Sequence, residues 1–290
     1  MSWYKVDLTC SKNDATIIEE ILVAHNAISI SFAQEKSSND IYEPKVGETP
    51  LWNTINLSAL FDKKISKEVI RDFIKGVAHS NLCINKLDDQ NWVETYQANF
   101  KPIRFGKKLW VVPSWSKMPL NQEGIELKMD PGMAFGSGSH ETTQLCLEYL
   151  ERTKLSNLTI LDYGCGSGIL SIASLALGAK YAIATDVDPQ ALEATKNNSI
   201  NNNVAEKIEI VLPDLIPKIK IDILVANILF NTLIDLRNEF MQLLNSGSKI
   251  VISGIMFSQL VLIHRHYEKF FNFKNVKIKN NWCLLEYEKK

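Results

Sequence analysis

Residues 158–168 read Leu-Thr-Ile-Leu-Asp-Tyr-Gly-Cys-Gly-Ser-Gly, an apolar run that leads directly into three glycines at alternate positions. The apolar part is typical of a buried β-strand, and the glycines are typical of a tight turn into a helix. Open α/β sheets bind ligands at such a junction, because bare backbone lets a ligand approach and the helix N-terminus favours an anionic group. A G-x-G-x-G pattern alone is weak evidence, so its interpretation depends on the residues around it.

Beyond this junction the chain repeats the order of apolar strand, loop and helix. Strands that alternate with helices predict a parallel sheet covered by helices. Asp188 and Pro189 indicate one helix start, as a capping residue followed by proline at the first helical position. The last two apolar segments are close enough in sequence to pair antiparallel. The predicted strands are Leu158–Asp162, Tyr181–Asp186, Lys207–Leu212, Ile221–Asn227, Lys249–Ser253, Phe273–Lys279 and Cys283–Tyr287.

The first ninety residues follow a different pattern, in which strands alternate polar and apolar side chains. The predicted order of elements is β-α-β-β-α-β, with Ser11 and Ser66 as the caps of the two helices. The polar segment from Glu35 to Pro50 predicts a long loop between the second and third strands. This order is that of a ferredoxin-like sandwich, a scaffold that serves many functions and does not indicate which one applies.

These patterns predict two domains in a chain of 290 residues, a length that by itself allows one domain or two. We place a smaller ferredoxin-like domain at residues 1–90 and an α/β domain at residues 106–290. The segment between them, residues 91–105, is polar with interspersed aromatic side chains, and we interpret it as a linker.

Composition and charge exclude several classes of protein. The chain is 46% hydrophobic and 22% charged, as in ordinary globular proteins, and its net charge of −1 supplies no general attraction for nucleic acid or an anionic membrane. The five cysteines are scattered without a C-x-x-C pair, and His264 and His266 point apart on a predicted helix, so we expect no metal site. We find neither a signal sequence nor a long apolar span, and we expect a cytoplasmic protein.

The second predicted strand ends in an acidic residue that suits a nucleotide cofactor. Asp186 follows the glycine turn by about 20 residues, the distance at which a carboxylate binds ribose hydroxyls. The alternative, that Asp186 only caps a helix, is weakened because Asp188 already suits the cap. The dinucleotide fingerprint G-x-G-x-x-G requires glycine at position 169, where this chain has Ile169, and that counts against NAD.

A second glycine-rich segment, residues 130–143, leads into a helix that we expect to begin at Thr142 or Thr143. Thr143 can present a hydroxyl beside a helix N-terminus to a carboxylate of the cofactor. The alternative is that both threonines only cap the helix. His140 and Asp130 lie in the same segment, and for His140 we favour a local hydrogen bond over a role as general base.

Asn227 ends the fourth strand of the predicted sheet and puts an amide at the mouth of the pocket. We consider it the best candidate for orienting a nucleophile, against the alternative that it merely terminates a strand. Ser253 ends the fifth strand in the same way, and there we favour a purely structural role. Trp282 is a further candidate for lining the pocket, without a signal of its own.

Taken together, three stretches resemble the ribosomal protein methyltransferases of the PrmA type, which methylate the large-subunit ribosomal protein L11. They are Phe135–Thr143, Asp162–Ser171 and Asn227–Leu229, in this order along the chain. The first stretch is the most specific, and the resemblance covers essentially the whole chain. This chain differs from the usual family pattern at Ser137, where threonine is common, and at Phe230, where a small residue is common.

The resemblance implies a Rossmann-like class I methyltransferase sheet behind a smaller N-terminal ferredoxin-like domain that recruits the ribosomal protein. It implies S-adenosyl-L-methionine as cofactor, S-adenosyl-L-homocysteine as product, and lysine or N-terminal amines of L11 as acceptors, with no requirement for nucleic acid or membrane. The cofactor contacts that it implies are at Thr143, Gly164, Asp186 and Asn227, and the glycine turn adds Gly166.

Three other interpretations remain open from the sequence. One is a methyltransferase acting on RNA, DNA or a small molecule, although Asn227 is not followed by the Asn-Pro-Pro-aromatic pattern of many such enzymes. Another is a docking module that keeps the fold without turnover, which the intact glycines, Asp186 and Asn227 disfavour. The last is an NAD-dependent oxidoreductase, which Ile169 disfavours.

Overall fold

The computed structural model of the chain describes residues 3–34, 52–87, 101–120, 123–129 and 140–290. The chain divides into two compact units, Met1–Tyr96 and Gln97–Lys290. Most of the predicted linker, residues 91–105, lies outside the described residues, and its boundaries stay a prediction.

The first unit has one antiparallel sheet, and its elements follow the order expected from the sequence. Strand order in the sheet is β2-β3-β1-β4. Ser11 and Ser66 cap the two helices as predicted, since their hydroxyls accept from the main-chain N–H groups of Asp14 and Val69. The elements are β1 (Trp3–Ser11), α1 (Lys12–Ala24), β2 (Ser29–Gln34), β3 (Thr54–Phe61), α2 (Lys67–Phe73) and β4 (Ser80–Leu87).

The second unit begins with a small three-stranded sheet and continues with a sheet of seven strands. The small sheet has the order β5-β6-β7 and the large one β10-β9-β8-β11-β12-β14-β13. The strands are β5 (Ile103–Phe105), β6 (Leu109–Val112), β7 (Ile125–Lys128), β8 (Thr159–Tyr163), β9 (Tyr181–Thr185), β10 (Ile208–Val211), β11 (Ile223–Asn227), β12 (Lys249–Met256), β13 (Phe271–Lys279) and β14 (Trp282–Lys289).

In the large sheet, β8 to β12 are parallel, and β14 pairs antiparallel with both β12 and β13. The chain leaves β8 toward β9 and β10 on one side and later returns to β11 and β12 on the other. The direction of strand order therefore reverses at β8, and open α/β sheets bind ligands beyond the carboxyl ends of the strands at such a point. The predicted Rossmann-like sheet, with its antiparallel final pair, is confirmed.

Helices cover both faces of this sheet, as alternate strand residues show. Val225 belongs to one hydrophobic core with Leu147 and Ile172, whereas its neighbour Leu224 belongs to another with Phe240. Strands β8 to β12 and β14 thus contribute to both cores, as expected for a sheet between two helical layers. The helices are α3 (Glu141–Arg152), α4 (Ile169–Ala176), α5 (Pro189–Asn201), α6 (Phe230–Leu243) and α7 (Leu260–Tyr267).

The small sheet is attached to α5 through one side-chain amide. Asn202, the residue after this helix, accepts from the main-chain N–H of Lys128 through Oδ1 and donates to the same residue's carbonyl through Nδ2, both at 2.8 Å. A paired amide contact of this kind satisfies both main-chain groups at the end of β7. It fixes where β7 ends relative to the large sheet.

The predicted end of the fifth strand at Ser253 is wrong, because β12 continues through Gly254 to Met256. The pairing register with β14 shifts between Ser253 and Ile255, and Gly254 has φ of +86°. A Cβ built at Gly254 would lie 2.1 Å from the carbonyl oxygen of Ile228. Glycine at this position therefore allows β12 to pack closely against the loop that follows β11. From sequence Gly254 suggests the end of the strand, but it lies at an irregularity within it.

We predict that Gly254→Ala destabilises the protein more than Gly247→Ala. Both glycines have φ above +80°, so alanine costs each about 1–2 kcal/mol of backbone strain. Only position 254 adds a clash with main chain, for which we expect about 1–3 kcal/mol more, because nothing lies within 4 Å of a Cβ at position 247. Urea unfolding of both variants measures the difference, and equal losses would contradict the packing argument.

Candidate functional site

The candidate site lies where three neighbouring strands of the large sheet end. Tyr163 at the end of β8 is in register with Thr185 of β9 and with Ala226 of β11. The residues that follow these positions are therefore brought to one edge of the sheet. They are Gly164, Asp186 and Asn227, three of the residues predicted to contact a cofactor.

The turn from Gly164 to Gly168 has a conformation that only glycine adopts easily. Gly164, Gly166 and Gly168 have φ of +77°, +53° and +77°. The main-chain N–H groups of Gly164 and Cys165 both donate to the carbonyl of Thr185, at 2.8 and 3.0 Å. A Cβ at Gly164 would lie 2.3 Å from Cγ2 of Ile228, so this position also lacks room for a side chain.

Asp186 binds the main chain of this turn directly. Its Oδ2 accepts from the N–H of Gly166 and its Oδ1 from the N–H of Asp188, each at 3.0 Å. A carboxylate has about four acceptor sites, so two such contacts leave capacity for further donors such as hydroxyl groups. The predicted cap is confirmed, because Asp188 caps α5 by accepting from the N–H of Gln190 at 2.9 Å, and ribose binding by Asp186 stays a prediction.

Asn227 and Thr143, which are 84 residues apart in sequence, meet at this edge of the sheet. Nδ2 of Asn227 donates to Oγ1 of Thr143 at 3.3 Å, and Thr143 is buried. The bond orients the amide and leaves its oxygen, Oδ1, on the other side as an acceptor. The structure therefore brings together Thr143, Gly164, Gly166, Asp186 and Asn227 as parts of one site.

The expectation that Thr142 or Thr143 begins the helix is wrong, because α3 begins at Glu141 and its cap is His140. Nδ1 of His140 accepts from the N–H of Thr142 at 3.3 Å. An imidazole nitrogen can accept an N–H as the oxygens of Ser, Thr, Asp and Asn do, and the usual capping signals omit it. The local hydrogen bond expected for His140 is confirmed.

Two further candidate positions lie among the described residues, and the pocket-lining role of Trp282 stays a prediction. Trp282 packs edge-to-face against the ring of His140, with centroids 4.8 Å apart. Ser253 is buried and donates to the carbonyl of Cys283 at 2.9 Å, which confirms its structural role. Asp130 and the glycine-rich segment 130–139, including Ser137, lie outside the described residues.

Asp162 belongs to the site and received no role from the sequence. It is buried in β8, directly below the glycine turn, and Oδ2 accepts from the N–H and the hydroxyl of Ser171 at 3.0 and 2.7 Å. Its Oδ1 has no hydrogen-bond partner among the described residues. Burial raises the pKa of Asp162 to about 6, although the bonds from Ser171 lower it. A carboxylate inside an apolar strand was the signal that could have identified it.

Within the described ranges, no three His, Cys, Asp or Glu side chains lie close enough together to hold a metal ion. None of the helices in those same ranges has both the length and the apolar character needed to cross a membrane.

Comparison with known proteins gives one consistent result. The family model described as "Ribosomal protein L11 methyltransferase (PrmA)" matches residues 2–290. Proteins named "Ribosomal protein L11 methyltransferase" from Hahella chejuensis and Shewanella sp. strain ANA-3 are 36% and 38% identical, over 98% and 100% of both chains. The crystal structure of a ribosomal protein L11 methylase from Lactobacillus delbrueckii subsp. bulgaricus matches with 33% identity and a TM-score of 0.60, covering 66% of this chain and all of that one.

We predict that Asp162 makes the stability of the protein depend on pH. The pKa of Asp162 is about 6 in the folded protein, against an ordinary 3.8, so the folded state holds the proton more tightly than the unfolded chain. The stability that Asp162 contributes is therefore largest at low pH. It falls by about 3 kcal/mol as the pH rises from about 4 to above 6, and then stays constant.

The variant Asp162→Asn cannot lose this proton, so its stability lacks that dependence. The unfolding free energy of wild type minus that of the variant, from urea titrations at pH 4 and pH 7.5, should be lower at pH 7.5. A difference that is the same at both values would show that burial leaves the Asp162 carboxyl unaffected.

Proposed function

The chain belongs to the ribosomal protein L11 methyltransferase (PrmA) family, and on that premise we propose that it transfers methyl groups from S-adenosyl-L-methionine to amines of L11. One observation carries the proposal: the glycine turn, Asp186, Asn227 and Thr143 converge at the carboxyl edge of one sheet. Because the acceptor is a ribosomal protein, we place the reaction in the cytoplasm.

The groups at this edge suit the cofactor. The carboxylate of Asp186 has acceptor capacity for the two ribose hydroxyls, and the three glycines of the turn Gly164–Gly168 allow main-chain contact. The N-terminal turn of α3 and the hydroxyl of Thr143 suit the carboxylate of the methionine part. When bound, the cofactor supplies a methyl group on a positively charged sulfur, which is the electrophile.

The remaining task of the protein is to present a neutral amine in line with that methyl group. A lysine amine with a pKa of about 10.4 is almost fully protonated at neutral pH, and its deprotonation costs about 4–5 kcal/mol, whereas an α-amine costs much less. Oδ1 of Asn227 can accept an N–H of the neutral amine, because Nδ2 is held by Thr143. Alignment of the reacting atoms can contribute on the order of 7 kcal/mol.

In the reaction, the substrate nitrogen forms a bond to the methyl carbon as the carbon–sulfur bond breaks, and S-adenosyl-L-homocysteine is the product. Desolvation of the amine in the pocket lowers its pKa and favours the neutral form. We assign no catalytic proton transfer to His140, because its Nδ1 is engaged at the cap of α3. We also propose that residues 1–90 form the domain that recruits L11 and that residues 106–290 carry out methyl transfer.

We predict that the protein transfers labelled methyl groups to L11 when it is incubated with methyl-labelled S-adenosyl-L-methionine and dissociated ribosomal proteins. Mass spectrometry should locate the label on lysine or N-terminal amines. Asp186→Ala should raise the Kd of the cofactor at least about 100-fold and abolish labelling, because two hydrogen bonds from ribose hydroxyls to a charged acceptor are lost. Isothermal titration with S-adenosyl-L-homocysteine measures the Kd.

Asp188→Ala is the matched control, since it removes a neighbouring aspartate whose role is to cap α5. This variant should lose about 1 kcal/mol of stability and keep cofactor binding close to that of wild type. Label on other proteins but not on L11 would contradict the proposed substrate. Normal cofactor binding by a folded Asp186→Ala variant would contradict the ribose assignment.

A further inference from the structure

Two side chains of α5, Thr195 and Asn198, bind carbonyl groups of the glycine turn, whereas Asp186 binds an N–H group of the same turn. They lie about one helical turn apart. Oγ1 of Thr195 donates to the carbonyl of Gly166 at 3.0 Å, and Nδ2 of Asn198 donates to the carbonyl of Ser167 at 2.9 Å. Both side chains are buried, Thr195 completely and Asn198 with 6% of its surface exposed. Because these buried donors have no access to solvent water, their hydrogen bonds to the two carbonyls hold the turn in one position.

The turn needs such support because glycine is its most frequent residue. Three of its five residues are glycines in the left-handed region, and glycine loses more conformational freedom on ordering than any other residue. The main-chain N–H groups at Gly164, Cys165 and Gly166 already bond to β9 and Asp186. Thr195 and Asn198 add restraints on the carbonyl side of the same peptides.

Thr195 also supports the turn by contact. A Cβ at Gly168 would lie 2.7 Å from Cγ2 of Thr195, so the glycine rests directly on this side chain. Oγ1 of Thr195 lies 3.3 Å from Sγ of Cys165 as well. One threonine therefore contacts the turn at three positions, and its methyl and hydroxyl groups serve different contacts.

The place of α5 in the chain explains why this arrangement matters for the cofactor. Asp188 caps α5 two residues after Asp186, so the helix begins beside the carboxylate that we assign to the ribose. The middle of the same helix holds the glycine turn. The relative position of Asp186 and the turn is thus set by one rigid element.

We propose that Thr195 and Asn198 are positioning residues that preorganise the glycine turn for S-adenosyl-L-methionine without a role in contacting it. The inference rests on the proposed function, since it concerns the same site. A turn that is ordered before binding has less freedom to lose when the ligand arrives, which improves affinity. The turn binds the cofactor in the same way before and during methyl transfer, so the effect falls on KM and Kd and spares kcat.

The test uses two pairs of variants in the full chain. Thr195→Val keeps the shape of the side chain and removes the hydroxyl, whereas Thr195→Ser keeps the hydroxyl. Asn198→Ala removes the second donor, and Asn197→Ala makes the same change at the exposed neighbouring position of the helix. Three properties are measured: the Kd of S-adenosyl-L-homocysteine, the KM for S-adenosyl-L-methionine with kcat in L11 methylation, and amide hydrogen exchange of residues 164–168 without ligand.

Thr195→Val and Asn198→Ala should each raise Kd and KM about tenfold, the effect of one lost hydrogen bond, with kcat within about twofold of wild type. Amide exchange in residues 164–168 should be faster in both. Asn197→Ala should resemble wild type in every measurement, and Thr195→Ser should keep most of the wild-type affinity and amide protection, because it retains the hydroxyl and loses only the methyl contact. If Asn198→Ala does not fold, the comparison of Thr195→Val with Thr195→Ser still tests the proposal.

Unchanged Kd and unchanged exchange in folded Thr195→Val would overturn the proposal, and so would equal losses in Thr195→Ser. The exchange measurement needs no ligand, so it separates this proposal from the proposed function. If wild type fails to bind S-adenosyl-L-homocysteine, the proposed function fails. The exchange rates then decide by themselves whether Thr195 and Asn198 order the turn.

Discussion

The carbonyl of Thr185 accepts the N–H groups of both Gly164 and Cys165, and this shared acceptor determines the geometry of the site. It ties the end of β8 to the end of β9 and forces the chain into a turn that only glycine adopts easily. Asp186 then falls next to Gly166, whose N–H it accepts. The helix that follows returns to the same turn through Thr195 and Asn198. The junction between the ends of two neighbouring parallel strands thus positions the turn and the acidic residue of the candidate site.

A carboxylate, that of Asp162, is buried beneath the same turn. Asp162 accepts both the N–H and the hydroxyl of Ser171, in the first turn of α4, so it orients the helix that begins after the glycines. Desolvation opposes its charge, and its second oxygen has no partner in the described part of the chain. Functional sites often contain such locally unfavourable features, which the surrounding packing sustains. The position of α4 therefore comes at some cost in stability.

Local patterns predicted the sheet, the glycine turn and the positions of Asp186 and Asn227 after the second and fourth strands, because the carboxyl ends of parallel strands lie at one edge of a sheet. The contacts that depend on distant parts of the chain were not predictable from spacing. Thr195 and Asn198 are about 30 residues from the turn that they hold, and helical pattern alone identifies them only as buried positions. His140 was not expected as a cap because histidine rarely gives that signal. Gly254 reads as a strand end until its approach to Ile228 is seen.

The most direct test of this account is a crystal structure of the protein with S-adenosyl-L-homocysteine. We expect the ligand to lie against residues 164–168, with its ribose hydroxyls within hydrogen-bond distance of the Asp186 carboxylate. The methionine part should lie toward Thr143 and Asn227. A ligand bound elsewhere, or a ribose that makes no contact with Asp186, would contradict the assignment of the site.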